Sequence, residues 1–139
     1  MTEIVVDASV ALAWCFRDEA TDGTRRLLEE LQTGAAVVPV LWHLEVANVL
    51  GLAERRHRIT AADSAQLIDL ISALEILIDE EAPGRAFAQV LDLARSERLT
   101  AYDATYLELA MRIGLPLATK DNDLGAAAQR LGIELVDVN

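Results

Sequence analysis

The chain has 139 residues, of which 53% are hydrophobic and 25% charged. This length suits one domain, and this composition excludes disordered and fibrous proteins. The 23 acidic residues outnumber the 12 basic ones and give a net charge of −11, which excludes a protein that coats nucleic acids through a basic surface.

Short apolar runs typical of strands alternate with longer patterns typical of helices. In chain order they predict a strand at 4–6, a helix at 19–32, a strand at 36–38, helices at 41–57 and 60–74, a strand at 75–78, helices at 83–98 and 100–114, a strand at 117–119, a helix at 122–131 and a strand at 133–136. Short, wholly apolar strands separated by helices are typical of a parallel sheet covered on both faces. The sequence therefore predicts an α/β fold and a single domain over residues 1–139.

The cysteine content and the first residues favour a cytoplasmic protein. No stretch approaches the roughly 18 uninterrupted apolar residues of a membrane span. The apolar run at 4–16 contains Asp7 and has no basic residue before it, so it lacks the pattern of a signal peptide. The single cysteine, Cys15, excludes an internal disulfide framework and suits a reducing compartment.

Acidic residues stand where a ligand binds in such a fold. Ligands of parallel sheets bind beyond the carboxyl ends of the strands. Asp7 and Asp121 follow the first and fourth predicted strands, and Asp103 lies at the start of a helix. Adjacent strands are roughly 4.8 Å apart, so such carboxylates can come within about 10 Å of one another, where they repel unless a cation such as Mg²⁺ or Mn²⁺ binds between them. Alternatively, Asp7 is a helix N-cap and Asp103 forms a capping box with Thr100.

Glu45 lies on a predicted helix that is otherwise almost wholly apolar. Between positions 44 and 53 the only polar residues are Glu45 and Asn48, whose spacing of three places them on one face. A buried carboxylate costs several kcal/mol unless it is paired or binds a cation. Glu45 is therefore a further candidate ligand. The alternatives are a narrow solvent-exposed stripe and an internal hydrogen bond between Glu45 and Asn48.

Other charged groups have ordinary explanations. Glu108 and Arg112 have the i, i+4 spacing of an exposed salt bridge. The basic run at 55–58 ends a helix, where it complements the helix dipole or forms a patch that grips phosphate. Lys120, the only lysine, neutralises the neighbouring acids, contacts phosphate or lies on the surface. The chain contains no glycine-rich phosphate-binding motif, and two histidines with one cysteine are too few for a zinc site.

The candidate residues fall in four segments, namely IVVDASV at 4–10, LEVANVL at 44–50, YDATYLELA at 102–110 and LATKDNDL at 117–124. In this order and spacing the segments resemble the PIN domain, and within that family the VapC-type toxins of bacterial toxin–antitoxin modules. The resemblance spans nearly the whole chain. A single D-x-S would be a weak signal, whereas four segments in register are a strong one.

The resemblance implies cleavage of RNA with Mg²⁺ or Mn²⁺, by a three-layer α/β/α fold with a five-stranded parallel sheet. By matching position it implies an acidic quartet and three supporting polar residues, which are Asp7, Glu45, Asp103 and Asp121, with Ser9, Asn48 and Thr119. Asp7 and Asp103 would ligate the metal directly, and the other two acids would bind a second ion or position water. Asp123 is a further acid at a position that varies among similar chains. The implied partners are the RNA substrate, a cognate antitoxin and a second copy in a homodimer.

Two other classes of protein also fit acids at a sheet edge. A phosphoacceptor domain binds Mg²⁺ there, but a dehalogenase-like site needs a second Asp where this chain has Ser9. A receiver domain needs an acidic pair after the first strand and an Asp after the third, where only Asp79 is a candidate. An inactive PIN-like binding module is the other alternative, and the intact quartet argues against it.

Overall fold

In the computed structural model, which describes residues 2–139, the sheet has four parallel strands. They are β1 (Glu3–Val6), β2 (Ala35–Pro39), β3 (Ile76–Asp79) and β4 (Leu117–Ala118). Their order across the sheet is β3-β2-β1-β4. Because β1 lies between β2 and β4, Val5 pairs with Val37 on one side and with Leu117 on the other. The carboxyl ends of the strands therefore lie at one edge, where Asp7 follows β1.

Helical segments connect the strands and follow β4. They are α1 (Ala8–Ala13), α2 (Asp22–Leu31), α3 (Leu41–Arg55), α4 (Ala61–Ser72), α5 (Ala82–Arg85), α6 (Leu91–Glu97), α7 (Ala101–Ile113) and α8 (Asn122–Arg130), with a 3-10 turn at Arg17–Glu19 and a π turn at Ala86–Val90. The α/β fold class is confirmed. Over the residues described, no helix is long and apolar enough to cross a membrane.

The two faces of the sheet pack against different helices. Successive residues of β1 point to opposite faces, and Ile4, Val5 and Val6 are all buried. Ile4 and Val6 belong to a cluster with Leu27 and Leu31 of α2. Val5 belongs to a larger cluster that includes side chains of α3, α7 and α8. The predicted coverage of both faces is thus confirmed, and it places β1 at the centre of the core.

The predicted fifth strand at 133–136 is reduced to a single bridge. Leu135 pairs with Leu117 in parallel orientation. Backbone hydrogen bonds of 2.9 Å run from Leu117 N to the Glu134 carbonyl and from Val136 N to the Leu117 carbonyl. Because β4 is only two residues long, it offers too short an edge for a longer ladder. The sheet therefore has four strands instead of five, still flanked by helices.

Two predicted helices have different bounds. The helix predicted at 19–32 begins at Asp22, because Thr21 forms a capping box with Thr24 and the residues before it form the 3-10 turn. The helix predicted at 83–98 is divided by the π turn between α5 and α6. Neither change moves the helices that follow Asp7 or carry Asp103.

The prediction that Glu108 and Arg112 form an exposed pair is wrong. Glu108 is 5% exposed, and Arg112 binds it at 2.9 Å. The Arg112 guanidinium also binds Asp79, at the end of β3, and Glu81, each at 2.8 Å. Arg85 lies 3.3 Å from Glu108. Burial of the Glu108 and Asp79 carboxylates is tolerated because each has a cationic partner, and the network ties α7 to the end of β3.

Candidate active site

Asp7 is the most enclosed of the predicted site acids. It follows β1, caps the N-terminus of α1 and is 4% exposed. Its Oδ1 accepts hydrogen bonds from the Ser9 hydroxyl at 2.6 Å and from Val10 N at 3.2 Å, and its Oδ2 accepts one from the Thr119 hydroxyl. Burial raises the pKa of the Asp7 carboxyl to about 6 although these hydrogen bonds lower it, and the Asp103 charge raises it further. Asp7 is therefore a helix cap whose negative charge is costly without a cation.

The loop between β4 and α8 is fastened to the start of α1. Lys120 N donates a hydrogen bond to the Ser9 hydroxyl at 2.9 Å, and Asp121 N donates one to the Thr119 hydroxyl at 3.0 Å. The Lys120 ammonium donates to the backbone carbonyl of Glu19. Ser9 and Thr119 thus contact both Asp7 and this loop. Lys120 links the loop to the 3-10 turn, and the sequence does not indicate this link.

Asp103 lies in the first turn of α7. Its backbone N–H donates to the Thr100 hydroxyl at 3.1 Å, so Thr100 is the N-cap. The reciprocal hydrogen bond of a capping box, from Thr100 N to the Asp103 carboxylate, is not formed among the described residues. Burial raises the pKa of the Asp103 carboxyl, and the charges of Asp121 and Asp123 raise it further. The Thr100 cap therefore does not use the Asp103 carboxylate, which lies in the first turn of α7, where negative charge also complements the helix dipole.

Glu45 faces α7 from α3 and is half-buried. Its Oε1 accepts a hydrogen bond from the Tyr106 hydroxyl. Burial raises the pKa of the Glu45 carboxyl, this hydrogen bond lowers it, and the charges of Asp103 and Asp7 raise it again. Asn48 is exposed and forms no hydrogen bond with Glu45 in the described residues. The partner of Glu45 is thus on another helix rather than on its own.

Asp121 and Asp123 lie at the start of α8. Asp121 is the N-cap, and its Oδ1 accepts a hydrogen bond from Leu124 N at 2.9 Å. Asp123 follows in the first turn. Both side chains are exposed, yet both influence the titration of Asp103. Asp121 and Asp123 therefore lie close enough to Asp103 for their charges to affect it.

The acids fit a divalent cation by their chemistry. Mutual repulsion links Asp7 with Asp103, and Glu45 with both of them, and a cation relieves this kind of repulsion. Within residues 2–139, no three His, Cys, Asp or Glu side chains lie close enough together to hold a metal ion. Mg²⁺ usually keeps several waters and needs only one or two carboxylates from the protein, so a cluster of three protein ligands is not required for such an ion.

Arg58, in the basic run at 55–58, makes contacts within the chain. Its guanidinium binds Asp18 and Glu19, each at 2.9 Å, and lies 3.9 Å from the centre of the Phe16 ring. Arg55 lies in the last turn of α3, where it complements the helix dipole. The dipole interpretation is therefore favoured for Arg55, whereas the Arg58 guanidinium has carboxylate partners within the chain.

Tyr106 is the residue of this site that sequence reasoning missed. It lies three residues after Asp103, so both are on one face of α7. That spacing was the available signal, but an aromatic residue on a helix most often belongs to the core, and this one does too. Only the packing of α3 against α7 reveals its contact with Glu45.

Comparison with known proteins identifies the family. The family model of the PIN domain matches residues 4–130. No curated protein matches the chain. Among solved structures, the crystal structure of PAE2754 from Pyrobaculum aerophilum has a TM-score of 0.69 and 28% sequence identity, over 91% of this chain and 86% of that chain. Because the match covers nearly all of the sequence, including all four candidate acids, the chain belongs to the PIN-domain family, a family of nucleases.

Proposed function

We propose that the protein is a metal-dependent endoribonuclease that hydrolyses RNA phosphodiester bonds with Mg²⁺ or Mn²⁺. The observation that carries this proposal is the Asp7 carboxylate, which is buried at the carboxyl edge of the sheet, held by Ser9 and Thr119, and close enough to Asp103 for that charge to raise its pKa. The charges of Asp103 and Asp7 likewise raise the pKa of the Glu45 carboxyl, so negative charge at this edge is unfavourable without a cation. Membership of a nuclease family and the resemblance to VapC-type toxins support the choice of reaction.

The four acids would have different roles, which follow from their burial and contacts. Asp7, held by Ser9 and Thr119, would ligate the ion together with Asp103. Glu45 and Asp121 would bind a second ion or position the attacking water. When bound, the cation lowers the pKa of water and stabilises the negative charge that develops on phosphate and on the leaving 3′ oxygen.

RNA cleavage should require a divalent cation. Total RNA incubated with the purified, antitoxin-free protein should be cut in Mg²⁺ or Mn²⁺ and remain intact in EDTA, because the carboxylates alone cannot neutralise the phosphate. Mapping of the RNA ends would show the sites of cleavage. Equal cutting in EDTA would contradict the metal-dependent mechanism.

We further propose that the protein is the toxin of a type II toxin–antitoxin system, acting in the cytoplasm as a homodimer held inactive by a cognate antitoxin. The resemblance to VapC-type chains supports this role. Large apolar side chains that remain exposed also support partner contacts, since exposed apolar surface favours association. The most exposed are Phe87 at 94% and Leu44 at 74%.

Expression of the chain alone should arrest bacterial growth if it is a toxin. Asp103→Asn should relieve the arrest, because it removes a ligand charge from the site. The measurement is the growth of cells that carry an inducible copy, with soluble protein verified on gels. Normal growth with soluble protein that cleaves RNA in vitro would favour a housekeeping nuclease.

A further inference from the structure

The Tyr106 hydroxyl is a buried group next to the acids that the proposed mechanism does not use. Tyr106 lies on α7 and is 1% exposed. Its ring belongs to the same core cluster as Trp42 and Val46 of α3. Val46 directly follows Glu45, so the core cluster that buries the ring also includes the residue next to Glu45, and the Tyr106 hydroxyl donates to Glu45 Oε1.

The carboxylates of Asp7 and Glu45 differ in the number of hydrogen bonds that the protein donates to them. Both oxygens of Asp7 accept hydrogen bonds, from Ser9 and Val10 on one side and from Thr119 on the other. In the described part of the chain, Glu45 accepts its single side-chain hydrogen bond from Tyr106, through Oε1. Oε2 has no protein donor there. The orientation of Glu45 therefore depends on one contact, whereas that of Asp7 does not.

We propose that Tyr106 is a positioning residue for Glu45: its hydroxyl holds Oε1, so that Oε2 is presented to the divalent cation or to the water that attacks RNA. This inference rests on the proposed nuclease function. A flexible Glu has three side-chain torsions, and a carboxylate that must be ordered at each turnover loses conformational entropy. A donor fixed in the core removes that cost, because the carboxylate is already oriented before substrate binds.

A purely structural role predicts different behaviour. A buried tyrosine hydroxyl usually needs a hydrogen-bond partner, and Glu45 would serve merely as that partner. Loss of the hydroxyl would then change the melting temperature and leave metal binding and turnover unchanged. Metal affinity and kcat therefore separate the two roles.

The substitution Tyr106→Phe keeps the packed ring and removes only the hydroxyl. We expect kcat for RNA cleavage to fall about tenfold, corresponding to about 1.4 kcal/mol, with KM for RNA within about twofold. Mn²⁺ binding without RNA, followed by the electron paramagnetic resonance signal of free Mn²⁺, should weaken. Tyr102→Phe is the matched control, because Tyr102 is exposed on the same helix and makes no side-chain hydrogen bond in the described residues. It should leave kcat and Mn²⁺ binding unchanged.

A double-mutant cycle shows whether Tyr106 acts through Glu45. Glu45→Gln removes the ligand charge, and adding Tyr106→Phe to it should cause no further loss of kcat, because residues that act through one contact are not additive. Independent, additive losses would overturn the proposal. So would unchanged kcat and Mn²⁺ affinity in Tyr106→Phe alone.

A further measurement leaves Tyr106 in place. The chain has two tyrosines, so the Tyr102→Phe variant labelled with 3-fluorotyrosine gives one fluorine resonance, from Tyr106. Addition of Mg²⁺ should shift this resonance, and Glu45→Gln should abolish the shift. A resonance that does not move while Mg²⁺-dependent cleavage proceeds would overturn the inference alone. Absence of any metal-dependent cleavage would instead overturn the nuclease proposal, while a Mg²⁺-induced shift that depends on Glu45 would still support the positioning of Glu45.

Discussion

Replacement of Asp7 or Asp103 by Asn should lower RNA cleavage at least ~100-fold, in line with the loss of several kcal/mol of stabilisation by the cation. The amide has the shape of the carboxylate but no charge, so it neither attracts the ion strongly nor offsets the charge of phosphate. Single-turnover rates with saturating Mn²⁺ are the measurement. Circular dichroism of each variant establishes that the fold is retained.

Asp137→Asn is the control for these two substitutions. It removes the same charge from the chain, but the Asp137 side chain is 71% exposed, accepts a hydrogen bond from Asn139 N and lies 4.0 Å from the exposed Arg26 guanidinium. Its cleavage rate should stay close to that of the original protein. If Asp137→Asn is as damaging as Asp7→Asn, the loss reflects net charge rather than a site, and the assignment of the acids is wrong.

Features of the fold that depend on short stretches of sequence could be predicted. The β-branched run before Asp7 is buried on both faces as expected of a central parallel strand. The last predicted strand failed because a strand needs a partner edge as well as an apolar pattern. β4 supplies only Leu117 and Ala118, and no local signal in residues 133–136 reports the length of that edge.

Contacts between distant segments explain what the sequence could not predict about the charged groups. The i, i+4 spacing of Glu108 and Arg112 correctly indicates that they touch, but their burial depends on Asp79, which approaches from the end of β3. Likewise, the contact between Glu45 and Tyr106 joins residues 61 positions apart. Helix periodicity predicts which face of a helix a residue occupies. Which residue of another helix it contacts depends on how α3 and α7 lie relative to each other.

The acids of the site were easier to find than the groups that hold them. Asp7 and Asp121 were recognisable because each follows a strand, and that position relative to the sheet edge is set locally. The family resemblance predicts Thr119 and Ser9 as supporting residues, and in the structure their hydroxyls donate to the two oxygens of Asp7. Tyr106 lies within one of the four segments that carry the resemblance, but the resemblance assigns it no role.

The pH dependence of stability without metal should change when Asp7 is replaced. The pKa of its carboxyl rises from 3.8 to about 6 on folding, chiefly through burial. Below about pH 4 the group is protonated in both states and has no effect on their balance. Between about pH 4 and 6 the unfolded chain has released the proton and the folded chain retains it, so unfolding becomes more favourable as the pH rises.

The free energy of unfolding therefore falls as the pH rises from about 4 to about 6, by about 3 kcal/mol in total, and this contribution is constant at higher pH. Urea unfolding in EDTA from about pH 4.5 to 7.5 should show the free energy of unfolding of the original protein falling relative to that of Asp7→Asn. Asn has one acceptor oxygen where the carboxylate has two, so it loses either the hydrogen bond from Thr119 or those from Ser9 and Val10. This loss offsets the variant by an amount that does not depend on pH, and the slope rather than the offset is the test. Asp137→Asn should follow the original protein, because its side chain lies largely in water.

Parallel curves for Asp7→Asn and the original protein would mean that the folded chain stabilises the Asp7 charge without a cation, and would remove the electrostatic reason for a metal at this edge.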